Sequence, residues 1–299
     1  MKALAILAVT ACSLAALAQP LPEVSVGRIE RLPAIASKFV DARPVDVWLP
    51  AGYSPDRRYP VLYLHDGQML YDASKTWNHQ AWDVHLAISR LLLAGRIPET
   101  LVVGIWNNGK FRHSEYYPEK FLPFVPQATR AAFIDKALQG RSRADAYLRY
   151  LVEELKPAID ARYPTRPGRD GTFVMGSSMG GLISVYAMSE YPQVFGGAAG
   201  LSTHWVGSFE PNAALPLAAF NYLQARLADP ATHRLYLDHG TTELDALYAP
   251  YQAIIDQIVK DRGYTAANSV SRVFEGAGHN EQAWAARLET PLLFLLGPP

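Results

Sequence analysis

Apolar runs of β character interleaved with helical patterns along almost the whole chain constrain its fold more than any other feature. The candidate strands are 45–49, 61–65, 101–106, 172–176, 197–201, 235–238 and 270–274. Several are continuous apolar stretches, as in parallel sheets covered on both faces. Helical periodicity falls at 82–93, 144–161, 180–190, 216–227, 250–261 and 282–296. Right-handed crossovers wind such a chain into an α/β fold, an open, mostly parallel twisted sheet with helices on both faces. No repeat, linker or low-complexity tract interrupts residues 19–299, so they read as one domain. One stretch departs from the alternation. Residues 107–143 are rich in aromatics, proline and charge, and read as an inserted loop, either a lid or binding loop or a surface excursion packed onto the core.

Lys plus Arg and Asp plus Glu number 28 each, so no global field draws in nucleic acid or an anionic membrane. Residues 1–18 combine Lys2, an apolar run and the small-residue end Ala16-Leu17-Ala18, the pattern of a cleaved signal peptide that is too short to anchor in a membrane. The expected location is secreted or periplasmic, without stable membrane insertion. A lipid anchor at Cys12, the only cysteine, is the less favoured alternative.

The sharpest chemical signal is Gly176-Ser177-Ser178-Met179-Gly180, a G-x-S-x-G placed between a candidate strand and a candidate helix. A turn that tight needs glycine beside the serine and presents its hydroxyl next to a helix N-terminus, where negative charge is favoured. A serine hydroxyl attacks only when a base takes its proton and an acid orients that base. His279, in the glycine-flanked loop after the last candidate strand, is in place for the base. The acid is expected just past strand 235–238, where Glu243 and Asp245 compete. Glu243 is favoured as nearer the strand end, with Asp245 as the alternative. Oxyanion donors are expected at the backbone N–H groups of Met179 and of Gln68, the latter following Asp66-Gly67, where glycine lets the backbone approach a ligand.

His65-Asp66-Gly67-Gln68, the segment Arg112 to Pro118, the serine turn and Gly278-His279-Asn280-Glu281 together resemble an esterase family that includes esterase D-type hydrolases, feruloyl esterases, enterochelin esterases and mycolyltransferases. The resemblance spans roughly 45–296. It implies an α/β-hydrolase fold, a Ser/acid/His triad, ester substrates and no cofactor. By position it carries over Ser178, His279, Glu243 as acid with Asp245 still open, and Gln68 as oxyanion donor. Arg112 and Glu115 match a family segment beside the active site, either as substrate contacts or as partners of each other.

Among four tryptophans suited to stacking on a substrate, Trp82 and Trp205 are favoured, with His204 and Arg112 as further substrate contacts. No histidine pair has metal-ligand spacing, so no metal is expected. The expectation is a serine carboxylic ester hydrolase acting through an acyl-enzyme on a small-molecule ester, an aromatic or sugar ester fitting the aromatic-rich insertion. The alternatives are acyl transfer to an acceptor other than water, and a non-catalytic carbohydrate- or siderophore-binding relative.

Overall fold

The computed structural model describes residues 19–210 and 212–298; residues 1–18, which hold Cys12 and the expected signal peptide, lie outside them. Eight strands form one sheet: β1 (Arg28–Arg31), β2 (Val45–Leu49), β3 (Val61–His65), β4 (Leu101–Ile105), β5 (Thr172–Ser177), β6 (Gly197–Leu201), β7 (Arg234–Gly240) and β8 (Ser269–Phe274). Their order is β1-β2-β4-β3-β5-β6-β7-β8. β2 runs antiparallel to both β1 and β4, and the remaining neighbours pair in parallel.

Period-2 alternation sends the sheet's side chains into two cores. Val61, Tyr63, Val174, Leu235 and Leu237 enter one of them, with the helices α4 (Ala144–Arg149), α5 (Lys156–Arg162), α6 (Met179–Glu190), α7 (Ala214–Arg226) and α8 (Ala249–Asp261) packed there. Leu62, Leu64, Met175, Leu201 and Tyr236 enter the other, beneath α1 (Val84–Leu93), α9 (Glu281–Arg287) and α10 (Glu289–Leu296). Because β3 to β6 are covered on both faces, their sequences read as unbroken apolar runs.

β1 has no such run. Its Arg-Ile-Glu-Arg is an edge strand, held by the fork of Arg31 on the buried Asp46 carboxylate at 2.7 and 2.8 Å. Two expected helices are each interrupted at a proline. Pro157 sits where the helix begun at Ala144 widens into a π-type turn over Tyr150–Leu155, which relieves the clash of a proline ring with the carbonyl four residues earlier. Pro291 forces the break at Leu288 between α9 and α10 in the same way.

The insertion 107–143 is largely helical rather than an open loop. It carries α2 (Arg112–Tyr116) and α3 (Gln127–Lys136) with 3-10 turns at Gly109–Phe111 and Glu119–Phe124. Tyr116, Tyr117 and Phe121 are buried, and Phe121 packs on Tyr186 of α6 and Tyr222 of α7. Each such ring contributes about 1.5–3 kcal/mol of burial, so Tyr116, Tyr117 and Phe121 belong to the core, while α3 buries only Phe133. Among the described residues, no helix is long and apolar enough to cross a membrane.

Candidate active site

Ser178 is the single residue between β5 and α6, with φ 56° and ψ −124°. Such a conformation costs a non-glycine residue about 1–3 kcal/mol and persists only where neighbours over-determine it. Here the Ser178 N–H donates to the Leu201 carbonyl at 2.9 Å, while the Ser178 carbonyl accepts from Gly181 at 3.0 Å and His204 at 3.2 Å. The glycine requirement is more selective than the motif suggests. A Cβ on Gly176 would lie 2.6 Å from the Gly180 carbonyl carbon, and one on Gly181 would lie 2.7 Å from Thr203 Oγ1, whereas one on Gly180 meets nothing closer than 3.4 Å.

His279 lies between β8 and α9. Its Nδ1 is 2.6 Å from Oδ1 of Asp245, whose side chain is fully buried. The carboxylate on the imidazole is therefore Asp245, and the expectation of Glu243 is corrected. Glu243 instead accepts the backbone N–H of His279 at 2.8 Å and the Asn280 amide at 3.2 Å, so it shapes the histidine loop. The second Asp245 oxygen accepts from the Gly240 N–H at 2.6 Å and from the Ser202 hydroxyl. Burial alone would raise the Asp245 carboxyl, but the bonds from His279, Ser202 and Gly240 outweigh it and hold it below its ordinary value. Tyr248 and Trp284 stand edge-on to the His279 ring, at centroid distances of 5.7 and 5.1 Å.

Met179 and Gln68 both sit in the first turn of a helical segment, where N–H groups lack intrahelical acceptors. The Gln68 segment follows Asp66, which adopts the left-handed conformation, φ 58°. Gly67 is needed there for a reason other than ligand approach: a Cβ would lie 2.5 Å from the Gly104 carbonyl carbon of β4. Arg112 grips Asp66 through Nε and Nη2, both at 2.8 Å, and Asn107 adds a third bond at 2.7 Å. Glu115 is paired elsewhere, bidentate to the buried Arg43 at 2.7 Å, so Arg112 and Glu115 are not partners of each other.

Three expected substrate contacts are not on an open surface. Trp82 is 2% exposed and packs on Trp284, 5.7 Å between centroids. Trp205 is 1% exposed and donates its Nε1–H to Gln252, inside the core. His204 is buried too, with Nδ1 on the Tyr248 hydroxyl at 2.7 Å and Nε2 on the Ser208 carbonyl at 3.1 Å. All three follow strand ends or precede helices, positions that face ligands in some chains and the core in this one. Arg112, with a side chain 30% exposed, keeps access to solvent. No sequence spacing distinguishes Ser202, Tyr248 and Trp284, which join the site only through tertiary packing. Among the described residues there is no group of three or more His, Cys, Asp or Glu side chains able to hold a metal ion.

Two buried histidines make stability depend on pH. Burial pushes His65 down to about 4, and burial followed by repulsion from His279 pushes His204 down to about 3. The unfolded values lie near 6.5, so the folded values are depressed: the stabilisation is complete above pH ~6.5 and is lost as pH falls toward the folded values. Going from pH 7 to pH 5 should cost about 2 kcal/mol for each of them. Denaturant midpoints are expected to fall between these pH values, and equal midpoints would refute the buried neutral histidines.

The family model described as "Putative esterase" matches residues 37–295. Protein YjcH of Bacillus subtilis (strain 168) is 26% identical over 151 residues, 50% of this chain and 51% of that protein. An endo-1,4-beta-xylanase/feruloyl esterase of Xylanibacter ruminicola is 23% identical over 89% of this chain and 31% of its own length. The chain thus spans about half of the first relative and about a third of the second. A solved ferulic acid esterase superposes with a TM-score of 0.65 at 19% identity, covering 91% of this chain and 98% of that one. The fold is that of the α/β hydrolases.

Proposed function

Since the chain belongs to the Putative esterase family, an esterase family built on the α/β-hydrolase fold, we propose that it is a serine carboxylic ester hydrolase working through an acyl-enzyme. Ser178 Oγ attacks the ester carbonyl while His279 Nε2 takes the hydroxyl proton. The oxyanion develops against the N–H groups of Met179 and Gln68. Collapse of the tetrahedral intermediate breaks the ester C–O bond, and His279 delivers its proton to the leaving alcohol. Water, deprotonated by the same nitrogen, then releases the acid and restores Ser178. Asp245 holds the tautomer with the proton on Nδ1.

The observation that carries this reading is the 2.6 Å contact between Asp245 and His279 Nδ1. It commits one ring nitrogen to the acid, so that proton traffic runs through Nε2. The names of the feruloyl and ferulic acid esterases above support an aromatic acyl group in the substrate. The apolar segment after Lys2 supports export with cleavage after Ala18.

The test uses protein recovered from the exported fraction, with its N-terminus checked for Gln19. It is assayed on p-nitrophenyl esters of increasing acyl length, feruloyl esters and acetylated sugars. Turnover with preference for the feruloyl esters is expected. Preference for short acyl or acetylated-sugar esters would overturn the substrate class, no turnover on any ester would overturn the hydrolase, and an N-terminus at Met1 would overturn the export reading.

A further inference from the structure

Behind Asp245, on the side away from His279, lies a second layer of buried polar groups. Ser202 follows β6, has φ 45° and is completely buried. Its hydroxyl oxygen accepts from Arg287 Nη2 at 2.8 Å and from Trp284 Nε1 at 2.9 Å. With both lone-pair directions occupied, the single hydroxyl proton has one acceptor in place, Asp245 Oδ2. Arg287 is 4% exposed and is balanced by Asp238, which takes its Nη2 at 3.0 Å and Nε at 3.2 Å. Asp238 is fixed in turn by the Tyr236 hydroxyl at 3.0 Å and the Ser202 N–H at 3.2 Å. Arg287 Nη2 also lies 3.9 Å from Asp245 Oδ2.

A buried ion pair of this kind is costly to assemble and is weak evidence for stability. Its placement gives it another use. We propose that Ser202 and Arg287 are positioning residues for the esterase reaction: the hydroxyl, locked by Arg287 and Trp284 into donating to Asp245, fixes the carboxylate rotamer that aims His279, and the guanidinium offsets part of its charge. This rests on the Ser178–His279–Asp245 reading above. The titratable groups facing His279 are Asp245, Tyr248, His204 and Glu243, with Arg287 and Asp238 behind.

The direction of the pH effect follows from charge. Without the hydroxyl, the charge on Asp245 is less compensated and holds the imidazolium more tightly, so the base form of His279 appears at higher pH. Ser202→Ala is therefore expected to lower kcat by about 10- to 100-fold, the range of a hydrogen bond to a charged group. KM should hold within about 2-fold and the acid limb of kcat/KM should move up by roughly half to one pH unit. Ser202→Gly, suited to the positive φ, should behave alike and serves if the alanine variant does not fold. Arg287→Met leaves Asp238 unpaired, so it is tested together with Asp238→Asn, and the double variant should show the same upward shift. A fall in kcat with an unmoved acid limb would make Ser202 a packing residue and overturn the proposal. So would unchanged kcat and pH profile alongside an inactive Ser178→Ala, with the esterase reading left standing. Retained turnover in Ser178→Ala would overturn the esterase site and the relay with it.

Discussion

Ser178→Ala is expected to remove about 10⁴- to 10⁶-fold of kcat on any ester the protein cleaves, with little change in thermal stability. As the proposed nucleophile, Ser178 is the one group for which nothing else in the site can substitute. The conformation of the turn is set by backbone bonds from Leu201, Gly181 and His204, none of which involves the hydroxyl. Alanine keeps those bonds and the Cβ, so circular dichroism and melting should match the parent while turnover disappears. Turnover within about 10-fold of the parent in purified variant would mean that another group attacks the ester.

Asp245→Asn and Glu243→Gln should separate widely. The first removes the acceptor that fixes the His279 tautomer, and losses of about 10³- to 10⁴-fold in kcat follow from such a change. The second leaves the imidazole bond intact and only loosens the tether on the His279 and Asn280 backbone segment, for which about 10-fold or less is expected. Steady-state kinetics of the two purified variants decide the matter, and a larger loss for Glu243→Gln would transfer the role of acid to Glu243.

The competition between these carboxylates shows where the sequence stops being informative. Distance from the strand end favours Glu243 in a linear reading. In three dimensions β7 extends to Gly240, and both Thr241 and Thr242 donate to the Ala277 carbonyl, at 3.0 and 3.1 Å, drawing the chain across to the histidine loop. Glu243, with φ 55°, begins the 3-10 turn and reaches the loop backbone, and two residues later Asp245 returns beneath the Gly240 N–H. That reversal depends on a positive φ at a glutamate, which no local propensity announces.

The strand–turn–helix at Ser178 was legible because short-range sterics dictate it: a Cβ at 176 would collide with the helix that follows. The strands β2 to β7 were legible because burial on both faces writes itself into composition. The edge strand β1 was not, since an edge next to solvent tolerates Arg-Ile-Glu-Arg. His204 and Trp205 looked like ligand contacts because they follow the carboxyl end of a strand, and Trp82 because its ring suits stacking. Which way each side chain turns depends on tertiary packing against Trp284, Gln252 and Tyr248.

The topology also orders events in time. Ser178 ends one of the central strands, Asp245 follows β7 and His279 follows β8, the last strand in both the chain and the sheet. A chain emerging from its N-terminus thus exposes an ordinary, unreactive alcohol about a hundred residues before the imidazole that would awaken it. Until β8 closes onto β7, the proposed nucleophile stands without its proposed base. On the proposed mechanism, reactivity therefore arises only with completion of the fold, when His279 meets Asp245.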